Sequence, residues 1–188
     1  MRIEGHQTYA ADREMLWSLL RDPNALARVL PGCESLETRG PHGFWGMFVV
    51  RVGQTMETFS GALSLERAVP LESWEFTAKG NNLDGAIACR GHVLLSDEGP
   101  GLTTLTYVTD IEVSGRPAQL TQRMLQTTAR SFARRSLEGL QQQIDARTRG
   151  YTPAAGNDGI TPSASSPLAL ERLVFRRRLI LIALVLLA

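Results

Sequence analysis

The stretch TMETFSGALSLER (55–67) decides the fold. Apolar or small residues fall at every second position, Phe59, Gly61, Leu63 and Leu65, with Thr58, Ser60, Ser64 and Glu66 on the alternate ones. A period of two puts each set on its own face of a β-strand, one wet and one buried. The alternation recurs downstream. Residues 72–79 set Trp74, Phe76 and Ala78 against Ser73, Glu75 and Thr77. Residues 83–95 set Ile87, Cys89, Val93 and Leu95 against Arg90 and His92. Residues 102–113 set Leu105, Tyr107, Ile111 and Val113 against Thr104, Thr106, Asp110 and Glu112. Upstream, 33–39 and 44–52 read as two more strands, with turns at Gly40–Gly43 and Gly53-Gln54. Pro70, Asn81-Asn82 and DEGPG (97–101) supply the remaining breaks. Strands joined this closely pair antiparallel, so a meander with one apolar face is expected.

Residues 2–9 form a short strand ahead of it. Asp12 is placed to cap a helix carrying Met15, Leu16, Leu19 and Leu20. Asp22-Pro23 starts a second one, with Leu26, Val29 and Leu30 on one face and Pro31-Gly32 as its stop. After the meander, Pro117 opens a long helix reaching to about Arg147, roughly 45 Å at 1.5 Å per residue. Its stripe is Leu125, Ala129, Phe132, Ser136, Leu140 and Ile144, extended near the start by Leu120, Met124 and Thr128. A helix this long needs a surface to lie on, and the apolar sheet face is the candidate. Sheet and helix then enclose a cavity, enlarged by Gly61, Ala78, Gly85 and Gly91, that suits an apolar ligand. The residues expected to line it are Leu30, Phe48, Phe59, Leu63, Phe76, Ile87, Tyr107, Leu120 and Met124. Tyr107 reads either as a core tyrosine or as a hydroxyl that orients a ligand carbonyl. Of the aromatics Trp45, Phe48, Phe59, Trp74 and Phe76, half or more are expected to be plain core.

The chain has 188 residues, 43% hydrophobic and 21% charged, which fits one domain with tail to spare. Its organisation reads as a body over 1–149, a linker over 150–167 and a tail over 168–188. The linker stretch YTPAAGNDGITPSASSP holds 13 Pro, Gly, Ser, Thr or Ala in 17 residues, too little apolar matter to order itself. Net charge is +1, unevenly spread. Residues 1–115 carry 9 basic against 15 acidic side chains, and residues 116–149 carry 7 against 2. An acidic sheet excludes nucleic acid as a partner. On the long helix, Arg130, Arg134 and Arg135 read as a solvated face or as a docking patch for a protein partner. The N-terminus lacks the apolar core of a secretory signal. Cys33 and Cys89, 56 positions apart, form neither a metal clip nor a disulfide framework and read as free thiols in a reducing cytoplasm.

The tail pairs Arg176, Arg177 and Arg178 with an apolar run: Leu179, Ile180, Leu181, Ile182, Ala183, Leu184, Val185, Leu186, Leu187 and Ala188. Ten helical residues span about 15 Å, half of a ~30 Å hydrocarbon core. A full span would bury the arginines at roughly 2.5–3.5 kcal/mol each, more than the aliphatics return at about 0.3–0.6 each. The expected mode is therefore entry from one side, with the arginines among headgroups on the cytoplasmic face. Packing of this segment on its own domain is the competing reading.

Chemistry is sparse. His6, His42 and His92 share no element at ligand spacing, so no metal site is expected. There is no GxSxG elbow and no Walker A loop. His92 and Asp110 fall on the polar face, away from the cavity. An enzyme would need a poised polar pocket, and the inward positions are nearly all apolar.

The order strand, two short helices, meander, long helix resembles the START-like (SRPBCC) helix-grip superfamily, an α+β fold in which a curved antiparallel sheet wraps around a long C-terminal helix. More closely, LLRDPNALARVLPGCESLE (19–37), Val50-Arg51-Val52-Gly53 and RPAQLTQRMLQTTARSFARR (116–135) resemble the family of the carbon monoxide dehydrogenase G protein, an accessory component of that enzyme system. The resemblance covers about residues 1–146. It implies a non-catalytic accessory that binds a lipophilic ligand, a menaquinone- or ubiquinone-type molecule, with no covalent cofactor. It also implies a link between a molybdenum hydroxylase-type dehydrogenase, such as CO dehydrogenase, and the cytoplasmic membrane. A polyketide cyclase or dehydratase on the same fold, or a ligand-free membrane adaptor, are the alternatives.

Overall fold

The computed structural model describes residues 1–52 and 55–150. Seven strands form a single antiparallel sheet: β1 (Arg2–Tyr9), β2 (Cys33–Arg39), β3 (Gly43–Val52), β4 (Thr55–Val69), β5 (Ser73–Asn81), β6 (Gly85–Gly99) and β7 (Leu102–Gly115). Their spatial order is β1-β7-β6-β5-β4-β3-β2. The meander runs from β2 to β7 by neighbouring pairs, and β1 closes on β7 at the far edge. Helices α1 (Arg13–Arg21) and α2 (Pro23–Val29) therefore carry the chain from one edge of the sheet to the other.

Local chemistry explains both helices. Asp12 caps α1 by accepting from the Met15 amide at 2.8 Å. Asp22 does the same for α2 from Asn24, with Pro23 in the first turn. Gly32 ends α2 at φ +74, which glycine adopts without penalty, and its carbonyl accepts from the Val49 amide at 2.8 Å. That bond ties the turn onto β3.

The long helix differs from expectation at its start. Pro117 opens a short 3-10 turn (Arg116–Gln119), and Leu120 returns to extended backbone at ψ 153. Helix α3 (Gln122–Thr148) begins afresh, capped by the Thr121 hydroxyl, which accepts from the Met124 amide at 3.3 Å. Proline satisfies the first turn of either helix type, so its presence alone does not distinguish them. At about 1.5 Å per residue α3 is roughly 40 Å long.

The core occupies one end of the inner face. Tyr9, Leu16, Leu19, Leu140 and Ile144 are fully buried there, with Phe44, Leu65, Trp74, Val93, Leu95 and Leu105 from the sheet. Gly139 lets α3 press against the backbone of α2: a Cβ there would stand 2.9 Å from the Val29 carbonyl oxygen. Arg147 pins the same corner, donating to Ser18 at 2.8 Å and pairing with Asp22 at 3.4 Å. The linker after Gly150, the Gly53-Gln54 turn and the tail over 168–188 lie outside the described residues. No helix among those described is long and apolar enough to cross a membrane.

Candidate functional site

The strand register sorts the expected lining residues. Phe48 pairs with Phe59, Leu63 with Ala78, Phe76 with Gly91, Gly80 with Ile87, and Val93 with Tyr107. Directly paired residues share a face, so Phe48, Phe59, Leu63, Phe76, Ile87 and Tyr107 all lie on the inner one. They do not play one role. Phe59 is 3% exposed, whereas Phe48, Leu63, Phe76, Ile87 and Tyr107 are half-buried. Leu30, Leu63, Phe76 and Tyr107 pack against the core cluster.

The inner face falls into two regions. At the core end it is sealed by α1, α2 and the second half of α3. At the other end Phe48, Val50, Ala78, Gly80, Ile87, Cys89, Ile111 and Val113 are only half-buried. The helix shows the same division. Its buried residues, Gly139, Leu140 and Ile144, all lie in the second half, while Leu125, Ala129 and Phe132 are half-covered. The first half of α3 thus stands off the sheet and leaves an apolar cleft. Within it, Met1, Ile111, Val113, Ala118, Leu120, Gln122 and Leu125 line an open cavity of about 290 Å³. Leu120 lines this cavity as expected. Met124 turns outward and is 39% exposed.

Three of the glycines expected to enlarge the cavity do not. The Phe76 ring lies over Gly91, where a Cβ would come within 2.4 Å of its Cζ. Gly85 faces Pro117 and the Ser114 carbonyl, and Gly61 faces the Lys79 carbonyl. Ala78 stays half-buried on the open region, and Gly80, which the alternation does not single out, has room for a Cβ at an ordinary contact distance of 3.5 Å from the Phe59 Cβ.

Polar groups in the cleft are few. The Tyr107 ring covers Gly5, with its hydroxyl 2.8 Å from where a Cβ would stand. Burial raises its pKa and the nearby Arg130 guanidinium lowers it. Thr109, two residues on and on the same face, is 8% exposed. Neither hydroxyl has a hydrogen-bond partner among the described residues. Nothing in the sequence marks Thr109, because a threonine within an alternating strand reads as an ordinary β-former. Cys89 lies between Ala78 and Ile111, and burial pushes its thiol up to about 11. Of the helix arginines, Arg134 pairs with Glu138 at 3.7 Å and Arg135 donates to the Ser131 carbonyl at 3.4 Å. Arg130 is exposed on the same helix, and its guanidinium also acts on Tyr107. Trp45 is on the outer face under Arg39, whose guanidinium lies 4.9 Å from the ring centre, and so is not core.

A second hollow, about 630 Å³, opens at the opposite end, where the sequence pattern gives no sign of one. Trp17, Arg21, His42 and Arg67 line it together with Leu65 and Pro70. The Arg21 guanidinium lies 5.4 Å over the Trp17 ring. Among the described residues, no group of three or more His, Cys, Asp or Glu could hold a metal ion.

Known proteins share this architecture. The family model for CoxG, the G component of carbon monoxide dehydrogenase, matches residues 5–145. No curated protein matches the chain. Among solved structures, a conserved protein from Geobacillus kaustophilus is similar at TM-score 0.73 and 23% identity, over 77% of this chain and 95% of its own. The ZhuI aromatase/cyclase from Streptomyces sp. R1128 superposes at TM-score 0.63 and 18% identity, over 83% of this chain and 98% of its own. A START superfamily protein from Mycobacterium smegmatis does so at 0.62 and 13%, over 78% and 98%. At these identities the likeness is one of fold, the START-like curved sheet with a long C-terminal helix.

Proposed function

Since this chain belongs to the carbon monoxide dehydrogenase CoxG family, we propose that it is an accessory protein carrying a respiratory quinone of menaquinone or ubiquinone type in the cleft between sheet and α3. It hands that quinone between a molybdenum hydroxylase-type dehydrogenase, similar to CO dehydrogenase, and the inner face of the cytoplasmic membrane. The observation that carries this reading is the unfilled half of the inner face. Apolar side chains left half-covered in a protein interior forgo roughly 25 cal/mol for every Å² of apolar surface a ligand would cover. The tail supports the membrane end of the route through Arg176, Arg177, Arg178 and the apolar run Leu179–Leu187. Arg134 and Arg135, exposed on α3, are the positions for docking the dehydrogenase.

An enzyme of the cyclase type on this fold is the second reading. It draws on the aromatase/cyclase neighbour, and it needs an acid or base poised in the cleft. The shifted groups among the described residues are Tyr9, Cys33, Cys89 and Tyr107, each raised chiefly by burial and so held neutral.

The test is native mass spectrometry of the full chain purified from quinone-containing cells, with solvent extraction of whatever co-purifies. A stoichiometric prenyl quinone is expected. A protein that emerges empty and takes up no added quinone overturns the carrier reading.

A further inference from the structure

Two hydroxyls in an apolar wall, neither with a partner among the described residues, need an explanation. Tyr107 and Thr109 lie two residues apart on β7, on the same face and about 7 Å from each other. Thr109 is more than nine-tenths buried. No side-chain oxygen among the described residues is wholly sealed off without a partner, so the Thr109 hydroxyl keeps its opening onto the cleft. A ligand that closes the cleft over these hydroxyls leaves them at a cost unless it accepts from them.

Arg130 joins them from the helix side. Met1 and Leu125 line one cavity, and the Tyr9 hydroxyl donates to the Leu137 carbonyl at 3.1 Å. Strand β1 and helix α3 therefore run alongside each other in the same direction. Gly5, halfway along that stretch of β1, lies opposite the middle of the 125–137 segment, where Arg130 stands. Gly5 is the residue that the Tyr107 ring covers. Tyr107 and Thr109 thus face the cleft from β7, and Arg130, exposed on α3, stands over the same stretch of β1. A phenol, an alcohol and a guanidinium can all donate, and the guanidinium cannot accept.

We infer that Tyr107, Thr109 and Arg130 form the polar end of the cleft, which holds the ligand by an acceptor oxygen, so that the cleft selects flat apolar molecules carrying a ring carbonyl over hydrocarbons of the same shape. This rests on the carrier reading and deepens it: the cleft's walls supply affinity, and the three donors supply orientation.

The probes are 2-methyl-1,4-naphthoquinone and 2-methylnaphthalene, which share their rings and differ in the carbonyls. Equilibrium dialysis measures both against the full chain and its Tyr107→Phe, Thr109→Val and Arg130→Gln variants. The quinone is expected to bind more tightly than the hydrocarbon. Each variant should weaken the quinone about threefold to tenfold, the range a net hydrogen bond gives. Hydrocarbon affinity should hold, which also reports that the variants are folded. Equal affinities for the two probes, unmoved by the substitutions, overturn the donor site while leaving the apolar cleft standing. Failure of the unaltered chain to bind either probe overturns the cleft reading and this one with it.

Discussion

Cys89 reports on the cleft from inside. Burial pushes its thiol up to about 11 from an ordinary value of 9.0. Thiolate is the reactive form, so alkylation of Cys89 at pH 8 should be slow and should climb about tenfold per pH unit until that value is approached. Cys33 lies on β2 at the sheet edge, with its thiol raised by burial but lowered by a bond to the Ser35 backbone. A bound naphthoquinone is expected to slow Cys89 and leave Cys33 unchanged, read by peptide mass spectrometry. The same shift has a stability consequence. Folding favours the protonated thiol, so stability is intact below pH 9, where both states are protonated, and falls as pH rises toward 11. A shift of this size corresponds to on the order of 3 kcal/mol. Cys89→Ala should flatten the decline of the urea midpoint between pH 9 and 11, leaving the part due to Tyr9, Tyr107 and Cys33, whose pKa values burial also raises. An unchanged slope would place Cys89 in water.

The elements divide α3 into two halves with different work. Its second half is clamped: Gly139 fits against α2 and Arg147 reaches Ser18 and Asp22. Gly139→Ala gains about 1 kcal/mol of helix propensity. It also drives a Cβ into backbone atoms of Arg28 and Val29, which cannot step aside. Overpacking costs about 1–3 kcal/mol, so a lower urea midpoint is expected despite the better helix former. A stabilised variant would mean that α2 and α3 stand further apart. The first half should exchange its amide hydrogens faster, residues 122–132 ahead of 139–146, because it buries little. Thr121→Ala should speed that half further, removing a cap worth about 1 kcal/mol. Most of this architecture is legible in the residues alone. Period-two alternation locates the strands, and Asp12 and Asp22 locate both short helices. The start of α3 is not legible, since Leu120 extends the apolar stripe although its backbone has left the helix. The packing of Phe76 over Gly91 is equally hidden. It depends on which residues face each other across β5 and β6, and alternation within one strand carries no cross-strand register.

At the scale of the whole chain, a nearly neutral, cleft-bearing body, with 16 basic against 17 acidic side chains over residues 1–149, is joined in sequence to a basic and apolar tail. The tail's three consecutive arginines each contribute about 1 kcal/mol on an anionic leaflet, and about 3 kcal/mol is a factor of roughly 150 in binding. The apolar run after them adds affinity that is independent of lipid charge. Two terms with different salt dependence make the proposal separable by experiment. The full chain should sediment with vesicles containing anionic phospholipid, and binding should weaken as salt is raised from about 0.05 M to about 0.5 M, since screening shortens the reach of the arginines. Replacing Arg176, Arg177 and Arg178 with Gln should remove that salt dependence and leave a weaker, salt-independent binding from Leu179–Leu187. A chain ending at Arg149 should stay in the supernatant at every salt concentration. Should that shortened chain sediment as strongly as the full one, attachment would belong to the body, and the exposed Met56, Leu83 and Met124 would be the side chains to replace next.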